Sequence, residues 1–153
     1  MASISNFAQQ NNLDSISNWT KKGTFTLLFN QASFSNWIAG GENAVSGTVS
    51  INYDFNYKKG DWAWDNKIIT KYGISNISGT GSRKTDDQFE FNSLVSKKAS
   101  TNWSYSFFTN IRSQFTTGYD YSSAEKKATS DFFAPGYITI GPGIIYKKSD
   151  HFN

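Results

Sequence analysis

The chain has no cysteine, a single histidine and two prolines among its 153 residues. The absence of cysteine excludes a disulfide framework and any thiolate metal site. No apolar run approaches the roughly 18 residues that a membrane-spanning helix requires, which excludes a helical membrane protein. Residues 1–23 form a polar leader without the apolar segment of a secretory signal peptide, so an exported protein of this sequence would carry its signal elsewhere.

Aliphatic residues are scarce and aromatic residues are abundant. Only 37% of the residues are hydrophobic, yet 17% are aromatic. A soluble core is built mainly from Leu, Ile and Val, whereas a transmembrane β-barrel needs one apolar face per strand and aromatic belts. The net charge of +3 is mild, and we expect no nucleic-acid partner.

The stretch "VSGTVSINYDFNY" at 45–57 alternates between two kinds of side chain. Apolar or aromatic residues occupy its odd positions, apart from Gly47, and small or polar residues occupy its even positions. This period of two predicts a strand with one apolar and one polar face. The run is longer than the about 3–10 residues of most globular strands.

The same pattern predicts six long strands, at 24–34, 44–58, 62–75, 87–98, 102–119 and 130–147. We therefore predict an all-β fold, an antiparallel up-and-down meander of about six long strands that forms part of a transmembrane β-barrel over residues 24–153. The last segment contains Pro135 and Pro142. Because proline cannot donate to a ladder, that segment should be bent, bulged or at an edge.

The turn "KKGD" at 58–61 predicts a hairpin between the second and third segments. With Lys58 opposite Asp61, the apolar faces meet through the pairs Tyr57–Trp62, Phe55–Trp64, Ile51–Ile68, Gly47–Tyr72 and Val45–Ile74. The same register joins the polar faces through the pairs Asn52–Lys67 and Thr48–Lys71. A slip of one residue would reverse the faces.

Aromatic residues gather towards the ends of the apolar faces. The predicted girdle consists of Phe55, Tyr57, Trp62, Trp64, Tyr72, Trp103 and Tyr105. Trp64 and Tyr72 should lie about 26 Å apart along their strand. At a tilt of about 40° this gives about 20 Å of height, close to the apolar band of about 25 Å that a barrel presents to lipid.

The predicted connections alternate in length, as in outer-membrane barrels with short periplasmic turns and long external loops. The long ones are "SNWIAGGEN", "NISGTGSRKTDD" and "DYSSAEKKATSD", and the short ones are "KKGD" and "KAST". Lysine pairs mark most of the predicted periplasmic points, where they either meet phospholipid phosphates or simply solubilise the turns.

Several charged residues fall on the predicted polar faces, namely Asp54, Asp65, Lys67, Lys71, Glu90 and Arg112. In the predicted register Asp54 lies opposite Asp65, and like charges directly opposed are destabilising. We therefore expect a cation nearby, with Lys67 as the neighbour. Inside a barrel such lumen-facing charges either set a channel's selectivity or brace a closed interior.

The pieces "FNQASFSNWIAGGEN", "YKKGDWAWDNKI", "RKTDDQFEFNS" and "APGYITIGPGIIYKKSD" resemble an uncharacterised Bacteroidota family of outer-membrane-type β-barrels, a domain-of-unknown-function family. The resemblance runs from about Trp19 to the end, and its most distinctive piece is the loop motif Asn36, Trp37, Gly40 and Gly41. That loop is either a surface recognition loop or a Gly-Gly turn fixed by Trp37. The resemblance implies further strands beyond the "YKKSD" region, and it implies location and architecture rather than activity.

The sequence offers little catalytic chemistry. His151 is the only histidine, and a serine nucleophile with a histidine base would depend on it. The stretch "GTGSRKT" at 79–85 lacks the spacing of a phosphate-binding loop. Asp86 and Asp87 either bind a cation in that loop or are solvated turn acids, and we prefer the second interpretation. We predict that the protein is not an enzyme and has no cofactor and no metal site.

The leading interpretation is a β-barrel in the outer membrane of a Gram-negative bacterium, with a pore, transport or structural role left open. Expected partners are membrane lipid and further strands, from a longer chain or from other subunits, because the smallest common barrel has about eight strands. One alternative is a soluble, lipocalin-like lipid-binding barrel with its apolar face inward. Another is a carbohydrate-binding β-module that stacks sugars on Trp62 and Trp64.

Overall fold

The computed structural model describes residues 17–34, 41–120 and 127–147, and these residues form β-strands and connections. The strands are β1 (Trp19–Ala32), β2 (Ala44–Lys59), β3 (Trp62–Ile77), β4 (Gly81–Lys98), β5 (Trp103–Ser113), β6 (Gly118–Asp120), β7 (Lys127–Ser130) and β8 (Tyr137–Tyr146). Six of them make one antiparallel sheet in the order β1-β2-β3-β4-β5-β8, while β6 and β7 pair separately. This confirms the predicted all-β meander of six long strands.

Several predicted boundaries are wrong. β1 begins at Trp19, so the end of the predicted polar leader belongs to the sheet rather than preceding it. The predicted long loop at 76–87 is a tight hairpin, because Gly79 and Gly81 adopt φ values of 82° and 85° that let the chain reverse at once. β4 therefore starts at Gly81 and carries the segment "RKTDD" within the ladder.

The last two predicted strands are also shorter than expected. β5 ends at Ser113, and the chain then enters the small β6–β7 sheet. β8 begins only at Tyr137, because Asp131 and Ala134 close a turn through two mutual backbone hydrogen bonds of 2.8 and 2.9 Å. Consecutive turn residues cannot join a ladder, which explains why the predicted segment 130–147 is cut at its start.

The predicted β2–β3 register is wrong by two residues, although its faces are right. Tyr57 lies opposite Trp64 rather than Trp62, and Lys59 lies opposite Trp62. The other predicted pairs shift in the same way: Ile68 faces Tyr53, Tyr72 faces Val49, Ile74 faces Gly47, Lys67 faces Asp54, and Lys71 faces Ser50. The turn residues are Gly60 and Asp61, and the φ of 56° at Gly60 suits the first position of a two-residue hairpin loop.

Asn66 interrupts the β2–β3 ladder without shifting its register. Its backbone N–H donates to Asn56 Oδ1 at 3.0 Å, and its own Nδ2 donates to the Phe55 carbonyl at 3.2 Å. Side-chain amides thus replace two backbone hydrogen bonds, and Asn66 is the most deeply buried side chain among the described residues. In the sequence, Asn66 is a polar residue at an apolar position of the alternation, but nothing there identifies Asn56 or Phe55 as its partners.

No hydrophobic side chain is buried in the described part of the chain. The sheet is a single layer, with apolar side chains standing exposed on one face from β1 to β8. Within residues 17–34, 41–120 and 127–147, no helix is long and apolar enough to cross a membrane. Apolar burial is the dominant driving force for folding, so the described sheet lacks its main source of stability unless something covers that face.

β1 and β8 form the two edges of the described sheet. The Lys147 N–H donates to the Asn102 carbonyl at 2.9 Å, which fixes the odd-numbered residues of β8 as those bonded to β5. Backbone groups alternate sides along an antiparallel strand, so those of Pro142 point to the free edge. Of the predicted alternatives, bent, bulged or at an edge, Pro142 fits the last within the described sheet, where its missing donor costs no hydrogen bond.

Candidate functional site

The strand registers bring the six predicted polar-face charges to one side of the sheet, here called the polar face. Asp54 lies opposite Lys67, Lys67 opposite Asn92, and Glu90 opposite Arg112. Asp65 and Lys71 share this face because they alternate in step with Lys67 along β3. The predicted opposition of Asp54 and Asp65 is wrong, because the register shift places Lys67 there instead.

Two ion pairs cross the polar face between neighbouring strands. Lys67 Nζ lies 3.9 Å from Asp54, and Lys71 Nζ lies 2.7 Å from Asp86. All four side chains are partly exposed, so each pair contributes only about 0–1 kcal/mol. The expected cation beside Asp54 is therefore present, and it is Lys67.

A denser polar cluster surrounds Glu90. Its carboxylate accepts hydrogen bonds from Asn92 Nδ2 at 3.0 Å and Asn110 Nδ2 at 3.1 Å, and Asn110 Nδ2 also donates to Asn92 Oδ1 at 2.8 Å. Arg112 lies beside Glu90 on the next strand and places its guanidinium 5.8 Å from the Tyr137 ring centre. These contacts form a hydrogen-bonded polar network that ties β4, β5 and β8 together on the polar face.

We expect Glu90→Ala to lower the free energy of unfolding by about 1–3 kcal/mol, because the amides of Asn92 and Asn110 lose their charged acceptor. Gln88→Ala is the matched control on the same strand and face, since Gln88 makes only a 3.4 Å hydrogen bond to Glu90. Denaturant titration would measure both. Equal losses in the two variants would contradict a bracing role for the Glu90 cluster.

The opposite side of the sheet, here called the apolar face, carries the predicted girdle. Phe55 and Tyr57 of β2, Trp62, Trp64 and Tyr72 of β3, and Trp103 and Tyr105 of β5 all alternate onto it. Trp19 and Tyr146 complete the belt at the short-turn end, where Trp19 lies 5.1 Å from Tyr57 and Tyr146 lies 4.7 Å from Trp103, centre to centre. The sequence pattern did not identify Trp19 as a belt residue, because it falls within residues 1–23, which were assigned to the leader.

Asp87 is a buried carboxylate that the sequence analysis took for a solvated turn acid, and that interpretation is wrong. Its side chain is 3% exposed. It accepts hydrogen bonds from the backbone N–H groups of Phe115 and Thr116 at 2.7 and 3.0 Å, and from Lys84 Nζ at 2.7 Å. Lys84 also donates to the Thr116 carbonyl at 2.8 Å. The carboxylate therefore fastens the chain after β5 to β4.

A second acid closes the segment between β7 and β8. Asp131 accepts hydrogen bonds from the Phe132 N–H and the Thr117 hydroxyl, both at 2.8 Å. These donors favour the ionised form and hold the pKa of the Asp131 carboxyl below its usual value. Asp87 and Asp131 together order the chain on either side of the β6–β7 sheet.

Part of the predicted loop motif lies outside the described residues, namely Asn36, Trp37 and Gly40, and so does His151. Gly41 is described and exposed, and a Cβ there would come within 2.7 Å of the Phe34 ring. Close packing against Phe34 therefore explains the glycine at this position. Within the described ranges, no cluster of His, Cys, Asp and Glu could hold a metal ion.

Comparison with known proteins identifies one family. The family model described as "Protein of unknown function (DUF3078)" matches residues 29–119, more than half of the chain. The match runs from β1 into β6 and includes both the Glu90 cluster and Asp87. No curated protein and no solved structure matches the chain.

Proposed function

We propose that this chain, which belongs to the DUF3078 family, is part of a transmembrane β-barrel in the outer membrane of a Gram-negative bacterium. The apolar face would contact lipid and the polar face would line the interior. The sequence resemblance further implies a Bacteroidota source. The role of the barrel is a pore, a transporter or a structural element, and the hydrogen-bonded Glu90 cluster favours a braced interior on its stretch of the wall.

One observation carries the proposal: along β2, the apolar side chains are more exposed than the polar side chains that alternate with them. Along β2, Val45, Val49 and Ile51 are 43%, 37% and 42% exposed, whereas the intervening Ser46, Thr48, Ser50 and Asn52 are half-buried. A sheet that curves around its polar face produces this difference. It is the reverse of a soluble protein, in which apolar side chains lie on the sheltered side.

The same observation weighs against the lipocalin-like alternative. Such a barrel holds its ligand inside, so the sheltered face of the sheet should be apolar. Here the sheltered face carries Glu90, Asn92 and Asn110 in a hydrogen-bonded cluster. We therefore prefer the arrangement in which lipid lies outside.

The carbohydrate-binding alternative also fits poorly. A sugar-stacking platform needs a free aromatic ring face. Lys97 Nζ lies 5.3 Å from the centre of the Trp62 ring, and the Trp64 ring lies 5.9 Å from the Trp19 ring, centre to centre. Both indoles are thus engaged within the sheet, in the manner of a belt at a membrane interface.

The two edges of the sheet imply protein partners. An unpaired edge in lipid leaves backbone groups unsatisfied at several kcal/mol each, so β1 and β8 must each pair with another strand. Those strands would come from a longer polypeptide or from other subunits. Pro142 of β8 has no N–H group to donate to a partner strand. β1 contains no proline, so each of its outward N–H groups can donate.

Spin labels test the sidedness directly, because the chain has no cysteine of its own. Ile51→Cys and Asn52→Cys differ by one position and alternate to opposite faces. In a reconstituted bilayer, we expect the label at position 51 to be relaxed by oxygen and the label at position 52 by a water-soluble nickel chelate. Matching environments at the two positions would refute the barrel proposal.

A further inference from the structure

An aromatic groove crosses β1, β2 and β3 on the apolar face. It has a volume of about 390 Å³ and is lined by Trp19, Lys21, Tyr53, Phe55 and Ile68. The Phe55 ring stacks with Trp19 and Tyr53 at centre-to-centre distances of 6.3 and 6.0 Å. This volume falls within the range of about 300–1,000 Å³ that is usual for small-molecule sites.

The shape of the groove depends on a glycine. Gly23 lies opposite Tyr53 on the neighbouring strand, and a Cβ at Gly23 would come within 2.9 Å of the Tyr53 ring. The Tyr53 ring therefore packs directly over the β1 backbone at Gly23. No side chain at position 23 fills the groove beside Lys21. Aromatic residues that cover an edge-strand glycine are a recognised way of stabilising such a position.

Lys21 brings a cation to an otherwise apolar surface. Lys21 and Lys22 both lie within β1 and alternate to opposite faces. Lys22 lies opposite Asp54 on the polar face, whereas Lys21 lies opposite Phe55 on the apolar face. No carboxylate in the described ranges forms an ion pair with Lys21.

This lysine differs from the other cation of the belt. Lys97 also alternates onto the apolar face, but its ammonium lies over the Trp62 ring and gains from the ring's charge distribution. In the proposed membrane setting, Lys21 has no such partner from the described residues. A charge on a lipid-facing surface is costly. We therefore expect an anion from the membrane to pair with the Lys21 ammonium.

We propose that this groove binds one anionic phospholipid, with the lipid phosphate on the Lys21 ammonium and an acyl chain along Tyr53 and Ile68. The inference rests on the proposed barrel. Lys21 lies one step inward from Trp19 on the same face, about 7 Å along the strand. A lysine stem can span that distance towards the headgroup level while its methylenes remain in the apolar layer. Trp19 closes the groove at the belt, where an indole N–H meets headgroups.

The test compares two lipids with the same quencher. The intact protein is reconstituted in phosphatidylcholine vesicles that contain a minor fraction of acyl-brominated phosphatidylglycerol or, in a parallel sample, acyl-brominated phosphatidylcholine. Bromine quenches nearby tryptophan, and Trp19 lies in the groove. We expect stronger quenching by the anionic lipid, reflecting an enrichment of about fivefold, which corresponds to about 1 kcal/mol for one lysine near an anionic surface.

Two variants assign the effect to the groove. Lys21→Gln should abolish the preference, whereas Lys22→Gln, one position along and on the other face, should keep it. Trp19→Phe should reduce the difference, because it removes the tryptophan that lines the groove.

The outcomes separate the site from the barrel. Equal quenching by both lipids, or a preference that survives Lys21→Gln, would overturn the lipid site and leave the barrel in place. Absence of quenching by either lipid would show that no tryptophan reaches the acyl layer, and the barrel proposal would fall together with the site. A preference lost equally in both lysine variants would indicate general surface charge and would also overturn the site.

Discussion

Ile51→Arg should prevent stable assembly of the protein. Ile51 is near the middle of β2 on the apolar face, with Phe25 and Thr70 as its cross-strand neighbours. Neither neighbour offers a negative charge, and a lipid-facing arginine near the bilayer midplane costs about 2–4 kcal/mol. Native stabilities are only about 5–15 kcal/mol, so the loss is a large fraction. Heat-modifiable migration in SDS gels would report assembly.

Two further arginine variants serve as controls for Ile51→Arg. Asn52→Arg should be tolerated, because position 52 alternates to the polar face that already holds Lys67. Tyr57→Arg should cost only about 0–1 kcal/mol from its charge, because position 57 is in the belt beside Trp19 and Trp64, where arginine reaches the interface. If Tyr57→Arg proves as damaging as Ile51→Arg, the cost does not depend on depth, and the apolar face is a protein contact rather than a lipid surface.

Asp87→Asn should destabilise the protein by about 3 kcal/mol and release the chain after β5. The substitution removes the charge that holds Lys84, and one of the two acceptor oxygens becomes a donor facing the backbone N–H groups of Phe115 and Thr116. Breaking a buried pair by changing one partner costs about 3–5 kcal/mol, and partial exposure of Lys84 lowers this. Hydrogen exchange at the Phe115 and Thr116 amides should accelerate strongly.

Asp86→Asn is the matched control for this variant. Asp86 is the preceding residue, alternates to the polar face and pairs with the partly exposed Lys71, so its loss should cost less than about 1 kcal/mol. Amide exchange near Phe115 should stay unchanged in this control. Similar exchange rates in the two variants would refute the view that the Asp87 carboxylate fastens this segment.

The alternation in the sequence was enough to predict the faces of the strands. Residues two apart in a strand point the same way whatever strand lies beside them, so Ile51 and Tyr53 share a face by local geometry alone. For the same reason the two-residue error in the β2–β3 register left both faces intact. The girdle residues therefore share one face of the sheet and the polar-face charges share the other, although the predicted cross-strand partners were wrong.

Register and partner choice depend on the turn and on neighbouring strands, and local sequence specifies them poorly. "KKGD" allows the chain to reverse at more than one position, and the positive φ of Gly60 decides between them. With the turn at Gly60 and Asp61, Lys67 rather than Asp65 lies opposite Asp54. A repulsion expected from the sequence thereby becomes an attraction.

The sequence by itself determined the all-β class, the two faces and the scarcity of core-forming residues, because composition and a period of two are local properties. Only the tertiary structure decided what Asp87 and Asn66 do. Asp87 is buried because Phe115 and Thr116, far along the chain, bring their N–H groups to it. Asn66 sits between strands because Asn56 and Phe55 meet its amide there. Such contacts join residues distant in sequence, and the pattern around each residue alone carries no trace of them.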